Sequence, residues 1–228
     1  MSESFAKTEK DPKPGTVIFI HGFMRKASSH WAMDKHFTNR GYRTLNWSYE
    51  SRKYKIEEHA LHLLNEVTAL SKKYPLQKIH FVTHSMGGLV LRSLLANKAC
   101  PIEALYGAAV MTVAPNQGSI MARKLKHIKI ARLIFGDQAG KQLIETEEGK
   151  FDELLGALPD TKKYLIIAGT CGANPFIPGR DDGKVAVEET RLEVEHEFAT
   201  VFAGHSWLTW TPKAMSLAYN FIEENNGY

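Results

Sequence analysis

The sequence predicts an α/β fold in which a mostly parallel sheet is covered by helices on both faces. Short β-branched apolar runs alternate with longer segments whose apolar residues recur at helical spacing. This alternation is typical of strands joined by right-handed crossovers. The 228 residues, 43% of them hydrophobic and 24% charged, suit one domain with a substantial core. We therefore expect a sheet of about six strands.

The elements follow from local patterns taken in chain order. Residues 16–20 form a short β-branched run without a polar face, which is typical of a fully buried strand. Further strands are predicted at 43–49, 78–82, 105–113, 164–169 and 198–202. Helices are predicted at 30–40, at 56–73 with one apolar stripe, after Ser85, and from Thr211, which precedes a proline at the first helical position.

Two segments are expected to lie outside this repeating pattern. Residues 1–14 are polar and are predicted to form a flexible arm before a single domain at 15–228. No strand is predicted within about 116–160, which is interpreted as a helical cap or lid insertion. Its segment from Ile120 to Phe135 has a basic, amphipathic helical pattern. Such a helix can contact anionic lipid, but a cap helix packed on the domain is the favoured interpretation.

Composition argues against several classes of protein. The net charge of +4 is modest and the excess of basic residues is not spread along the chain, so no nucleic-acid partner is expected. The N-terminus lacks the apolar core of a secretory signal, and no run has the length of a membrane span, so a cytoplasmic location is expected. Two cysteines, Cys100 and Cys171, are too few for a disulfide framework, and we expect both to be small buried residues.

The most informative segment is Thr83-His84-Ser85-Met86-Gly87, between a predicted strand and a predicted helix. A serine at such a sharp turn has an exposed hydroxyl, as a nucleophile requires. The turn brings backbone segments close together, which explains the small Gly87. The full pattern is G-x-S-x-G, and Thr83 departs from its first position. The alternative for Ser85 is an ordinary loop serine, because S-x-G alone is common.

A serine nucleophile needs a base, and His205 is the favoured histidine. It follows the last predicted strand, at the sheet edge where open parallel sheets bind ligands. His80 lies within a strand, and His84 is expected to point away from the Ser85 hydroxyl. His59 and His62 lie one turn apart on a helix, and without further ligands nearby a solvated helix face is favoured over a metal site.

The carboxylate that would orient the base is predicted in Asp181-Asp182-Gly183, between the serine and the histidine in chain order. Asp182 is the first choice and Asp181 the competitor, although Asp-Asp-Gly is also ordinary turn sequence. Backbone N–H groups of Met86, at the positive end of a helix, and Phe23, after Gly22, are the predicted donors to an oxyanion.

With these residues, the chain resembles the α/β-hydrolase superfamily, in particular small bacterial lipases and esterases. The residues that carry the resemblance are His21-Gly22-Phe23, His84-Ser85-Met86-Gly87-Gly88, Asp182-Gly183-Lys184-Val185, Gly204-His205, and the T-x-x-P-x-x-G-S segment from Thr112 to Ser119. The resemblance implies a triad of Ser85, Asp182 and His205 that cleaves carboxylic esters through an acyl-enzyme.

The resemblance also implies that no metal or organic cofactor is needed and that the substrate is a small acyl ester or a lipid. A thioesterase, amidase or acyltransferase would use the same residues, and the sequence does not separate these activities. A binding module that has kept the fold without catalysis is the alternative from another class. The physiological substrate, the acyl-chain length and the oligomeric state are not predicted.

Overall fold

A computed structural model describes residues 13–125, 138–146 and 150–227. Its sheet has six parallel strands in the order β2-β1-β3-β4-β5-β6. The strands are β1 (Thr16–Ile20), β2 (Arg43–Trp47), β3 (Ile79–His84), β4 (Ala109–Thr112), β5 (Tyr164–Gly169) and β6 (Glu197–Val201). The predicted α/β fold with a parallel sheet is therefore confirmed.

Helices connect the strands and cover both faces of the sheet. Those described are α1 (Trp31–Thr38), α2 (Ile56–Lys73), α3 (Met86–Leu95), α4 (Ile102–Tyr106), α5 (Ile120–Leu125), α6 (Ala139–Glu145), α7 (Phe151–Leu155) and α8 (Pro212–Glu224). The Thr211 hydroxyl accepts a hydrogen bond from the N–H of Ala214, so this residue caps α8 as its position before Pro212 predicts.

The hydrophobic core lies in two layers, one on each face of the sheet. Along β1, Ile18 and Ile20 belong to the layer under α2 and α3, whereas Val17 and Phe19 belong to the layer under α1 and α8. This alternation follows from the two-residue repeat of a strand. Because both faces are covered, every residue of β1 is buried, as its continuous apolar sequence predicts.

Some predicted boundaries are wrong. The predicted strand at 105–113 begins too early, because Leu105 belongs to α4 and the strand begins only at Ala109. Apolar side chains on a short buried helix resemble a strand in sequence, which explains the error. In β3 the strand continues two residues past the predicted end, as far as His84. Cys171 is exposed, contrary to the prediction, while Cys100 is buried.

The predicted basic helix at 120–135 lies largely outside the described residues. Its first part is helix α5, and residues 126–137 are not described. Within the described part of 116–160 no strand is found. None of the described helices combines the length and the apolar character needed to cross a membrane.

The arrangement of the sheet positions the candidate site. In a parallel sheet all strands end at the same edge, and the loops that follow them lie side by side there. The loops after β1, β3 and β6 carry Phe23, Ser85 and His205, and the loop after β5 carries Asp182. Segments far apart in sequence are thereby brought together at one edge.

Candidate active site

Ser85 occupies a sharp turn between β3 and α3. Its backbone has φ 52° and ψ −126°, in the region that side chains other than glycine rarely adopt. Its N–H donates to the carbonyl of Thr112 (2.9 Å), and its own carbonyl accepts from the N–H of Gly88 (2.9 Å). These bonds hold the strained residue at the carboxyl edge of the sheet, the geometry expected of a nucleophile at this turn.

Close backbone packing explains the glycine at position 87. A Cβ atom there would lie 2.3 Å from the carbonyl oxygen of Ile20, so no side chain fits between α3 and β1. This is the close approach that the small residue predicts.

Gly88 packs against both the loop after β4 and Thr83. A Cβ placed on Gly88 would lie 2.6 Å from the Ala114 Cβ and 3.3 Å from the Oγ1 of the fully buried Thr83. Contact with Ala114 is therefore what excludes a side chain at position 88, and the absence of that side chain also leaves space beside Thr83. The turn forms with threonine at the first position of the motif.

His205 lies beside Ser85, as the sequence predicts. Its Nε2 is 3.0 Å from the Ser85 Oγ, across 120 residues of sequence. The histidine follows β6, and its backbone N–H donates to the carbonyl of Asp182 (2.8 Å). This bond joins the loop after β6 to the loop after β5, so the imidazole is held from both its backbone and its ring.

Asp182, and not Asp181, contacts the imidazole. The Asp182 Oδ2 is 2.8 Å from the His205 Nδ1, so this nitrogen carries a hydrogen and Nε2 can accept one from Ser85. The Asp182 Oδ1 accepts from the backbone N–H groups of Lys184 (2.9 Å) and Val185 (2.8 Å). Asp181 instead accepts from the N–H of Gly183 (2.6 Å) within its own turn.

The three side chains differ in their access to solvent. The side chain of Asp182 is 1% exposed and that of His205 is 8% exposed, whereas Ser85 is half-buried. Three hydrogen bonds satisfy the oxygen atoms of this deeply buried carboxyl group. Of the three side chains, the serine is therefore the most accessible, and it lines a cavity.

The loop after β1 packs directly against Ser85. A Cβ on Gly22 would lie 3.0 Å from the Ser85 Cβ, so only glycine allows this approach. The His21 Nδ1 donates to the carbonyl of Gly22 (2.9 Å), and the Tyr49 hydroxyl donates to the carbonyl of His21 (2.7 Å). These bonds hold the segment that leads into Phe23.

The two predicted oxyanion donors belong to segments that adjoin Ser85. Phe23 follows Gly22 and lines the cavity, and Met86 is the first residue of α3, where the helix dipole is positive. Their role as donors stays a prediction.

A cavity of about 520 Å³ opens beside Ser85 and His205. Its size is within the range of pockets for small ligands. The lining residues come from five loops and from the cap insertion: Phe23, Met24, Arg25, His84, Ser85, Pro115, Ser119, Met121, Leu143, Lys184, Val185, His205 and Ser206. The contributions of α5 and α6 agree with a cap that shapes the pocket.

Three residues of this cavity were not predicted from the sequence to take part in the site. Arg25 and Lys184 line it, and the His84 Nε2 is 2.8 Å from the carbonyl oxygen of His205. Arg25 lies three residues after Gly22 in the loop that contains Phe23, and this position is a signal that could have indicated it. His84 was expected to point away from the Ser85 hydroxyl, and that expectation gave no reason to look for its contact with the loop after β6.

Of the two histidines predicted to lie on a solvated face of α2, only His62 is exposed. The prediction is wrong for His59, which is fully buried beside the rings of Tyr49 and Tyr54. Across the part of the chain that the structure describes, no group of three or more His, Cys, Asp or Glu side chains is arranged to hold a metal ion.

Sequence comparison identifies a related family in the N-terminal half. Residues 13–115 match the family described as "Putative serine esterase (DUF676)", a segment that includes Gly22, Phe23 and Ser85. No curated protein matches the chain in sequence.

Structural comparison extends the similarity to the whole chain. The mature lipase BlEst2 from Bacillus licheniformis superposes with a TM-score of 0.72 at 18% identity, covering 93% of this chain and 96% of the lipase. A metagenomic carboxyl esterase has a TM-score of 0.70 at 15% identity, with coverage of 96% and 77%. A thermophilic esterase from Thermogutta terrifontis has a TM-score of 0.62 at 13% identity, with complete coverage of both chains at 100%.

These identities are low enough that the superpositions establish the fold alone. The order of the strands, the serine turn between β3 and α3 and the three superpositions agree. The chain therefore has the α/β-hydrolase fold, similar to that of bacterial lipases and esterases.

Proposed function

We propose that this chain is a serine hydrolase that cleaves carboxylic esters through an acyl-enzyme on Ser85. The observation that carries the proposal is the continuous hydrogen-bonded series from Ser85 Oγ to His205 Nε2 (3.0 Å) and from His205 Nδ1 to Asp182 Oδ2 (2.8 Å). A base in contact with a hydroxyl, itself oriented by a carboxylate, is the arrangement that activates a serine. The strained turn and the adjoining cavity support the same activity.

In the first half of the reaction, His205 Nε2 accepts the proton of Ser85 as Oγ bonds to the ester carbonyl carbon. The carbonyl π electrons move to the oxygen, and the N–H groups of Phe23 and Met86 donate to this oxyanion. Asp182 holds the ring and stabilises its positive charge. When the carbonyl re-forms, the bond to the alcohol oxygen breaks, and His205 donates its proton to the departing alcohol.

In the second half, water replaces the alcohol. His205 removes a proton from water as the water oxygen bonds to the acyl carbon, and the same N–H groups stabilise the second oxyanion. Collapse breaks the bond to Ser85, whose Oγ takes back the proton. The products are a carboxylic acid and an alcohol, and each step uses a group that this chain itself supplies.

Replacement of Ser85 by alanine tests the proposal. We expect loss of hydrolysis of p-nitrophenyl esters and loss of covalent labelling by a fluorophosphonate probe, without a change in melting temperature. Ser93→Ala, the same change on helix α3 away from the cavity, is the matched control. Undiminished hydrolysis by Ser85→Ala would refute the mechanism, and failure of the wild type to take up the probe would favour a binding module.

The acyl bond is tested by a series of substrates. We expect hydrolysis of p-nitrophenyl esters of graded chain length to exceed that of coenzyme A thioesters and anilides of the same acids. A higher kcat/KM for the thioesters would reassign the chain as a thioesterase that uses the same three side chains.

A further inference from the structure

Among the residues that the structure describes, two cationic side chains and no acidic one line the cavity beside Ser85. Arg25 and Lys184 are among its lining residues, and no Asp or Glu is. Asp182 is close in sequence to Lys184, but its carboxylate is buried behind His205 and accepts from the ring and from two backbone N–H groups. The charge that faces the reacting position is therefore positive.

Arg25 is held by hydrogen bonds to backbone carbonyls, and no acidic side chain of the described segments pairs with it. Its backbone N–H donates to the carbonyl of Gly22 (3.2 Å), and its Nη1 donates to the carbonyl of Ser206 (3.0 Å). The side chain thus joins the loop after β1 to the loop that carries His205. Over residues 13–125, 138–146 and 150–227, neither Arg25 nor Lys184 forms an ion pair.

The charge of Arg25 is partly buried. Arg25 is half-buried, and desolvation lowers the pKa of its guanidinium below the ordinary value, although arginine stays charged in proteins. A partly buried cation without a carboxylate is unfavourable unless a ligand supplies the negative charge. Within the described part of the chain the guanidinium donates one side-chain hydrogen bond, to Ser206, which leaves further N–H donors of the planar fork for an anionic oxygen group.

We propose that Arg25, aided by the exposed Lys184, binds an anionic group of the substrate, so that the enzyme prefers esters that carry a carboxylate or phosphate near the cleaved bond. This inference rests on the proposed ester hydrolysis and names its substrate class. The other lining side chains, among them Phe23, Met121 and Leu143, suit the apolar part of such a substrate.

Matched pairs of esters that differ in one charge test the preference. The first pair places the charge on the acyl part: mono-p-nitrophenyl suberate and its methyl ester. The second places it on the alcohol part: p-acetoxybenzoate and methyl p-acetoxybenzoate. For each pair, the measured quantity is the ratio of kcat/KM for the anionic ester to kcat/KM for the neutral one. The pair with the larger ratio shows which part of the substrate meets the cations.

Arg25→Gln removes the charge and keeps a side chain that can donate. We expect the ratio in the preferred pair to fall about tenfold, as for the loss of one charge-assisted hydrogen bond. Lys184→Gln should lower it less, because Lys184 is exposed. Lys26→Gln is the matched control, since it removes a charge from the next residue, which does not line this cavity.

The outcomes separate the two proposals. If the esters are hydrolysed but neither pair shows a preference for the anionic member, this inference is overturned and the proposed function stands. The same holds if there is a preference that Arg25→Gln leaves unchanged. An equal decrease in the Lys26→Gln variant would also overturn it, because the effect would then come from general surface charge. No hydrolysis of any of the four esters would overturn both.

Discussion

The imidazole of His84 donates a hydrogen bond to the backbone carbonyl of His205. The distance from Nε2 to the oxygen is 2.8 Å, and because a carbonyl can only accept, the hydrogen is on Nε2. His84 precedes Ser85 in sequence and is buried. One hydrogen bond therefore ties the residue before the proposed nucleophile to the residue proposed as its base, although the two loops are 121 positions apart.

From this hydrogen bond we predict that His84 helps to position His205. Burial and the neighbouring His205 hold the pKa of His84 well below its usual range, so the ring is neutral and keeps a single N–H. In His84→Phe the donor is lost, and we expect kcat to fall roughly tenfold to hundredfold, because small displacements of catalytic groups carry costs of about that size. The steady-state kcat and KM of a neutral p-nitrophenyl ester give the measurement.

His84→Gln distinguishes positioning from packing. The Gln amide can donate from about the place of Nε2, so activity should recover in this variant relative to His84→Phe. His62→Gln, on the exposed face of α2, controls for the loss of a histidine. Equal losses in both His84 variants, with equally lowered melting temperatures, would mean that the ring only fills space.

The choice between Asp181 and Asp182 predicts unequal effects of the same substitution. Asp182→Asn removes the negative charge that faces the His205 Nδ1 and allows the wrong tautomer, so kcat should fall by about 10³-fold or more. Asp181→Asn changes only a turn contact to Gly183 and should keep kcat within about twofold of wild type. A larger loss of kcat in Asp181→Asn than in Asp182→Asn would reverse the assignment.

The sequence predicts the fold well because the four central strands, β1, β3, β4 and β5, are buried on both faces and are rich in apolar residues. The run at β1 has the predicted bounds, whereas the edge strands β2 and β6 are only partly buried. Once the strands are parallel, the loops after them must meet at one edge. Ser85, Asp182 and His205 can therefore be proposed together from their positions after β3, β5 and β6.

What the sequence does not predict depends on contacts between segments far apart. Helix α4 has too few residues to show a helical repeat, so its apolar residues merge with the strand that follows. Thr83 packs beside Gly88 of the following helix, and the partner of Arg25 is the Ser206 carbonyl, 181 residues away. No local pattern contains such information.

We predict that a substitution of Thr83 stabilises the folded chain. Thr83 is fully buried, and in the described structure its Oγ1 has no hydrogen-bond partner. An unpaired buried hydroxyl is unfavourable, so Thr83→Val should raise the free energy of unfolding by about 1 kcal/mol. Urea denaturation followed by circular dichroism measures the change.

Thr112→Val provides the comparison for this substitution. The Thr112 Oγ1 donates to the carbonyl of Thr83 (2.7 Å), so the same change of side chain removes a bond there and should lower the free energy of unfolding by about 1 kcal/mol. Opposite signs for the two variants are the expected result. Destabilisation in both would indicate that the Thr83 hydroxyl has a partner.

Lys162 predicts a dependence of stability on pH. Its amine is fully buried above the ring of Phe81 and donates to the carbonyls of Ala104 and Gly107. Desolvation lowers its pKa from 10.5 to about 7. A neutral amine has two hydrogens and can keep both bonds, so the folded chain favours the uncharged form.

The direction of this pH dependence follows from the number of protons that the folded and unfolded chains bind. Between about pH 7 and pH 10.5 the unfolded chain holds this proton and the folded chain does not, so the contribution of Lys162 to stability increases as the pH rises through that window. Below about pH 7 both states are charged and the contribution is constant at its least favourable value. The free energy of unfolding of wild type minus that of Lys162→Met should therefore rise with pH by a few kcal/mol, since one pKa unit corresponds to about 1.4 kcal/mol.

Urea denaturation of the wild type and of Lys162→Met at pH 6.5, 8 and 9.5 measures this difference in the free energy of unfolding. The three pH values span most of the window, and pH effects common to the two chains cancel. Lys163→Met is the matched control, because Lys163 is the adjacent lysine and is exposed. Its difference from wild type should stay constant over the same pH values. A constant difference for Lys162→Met as well would mean that the buried amine stays protonated, held by the two carbonyl oxygens and the Phe81 ring.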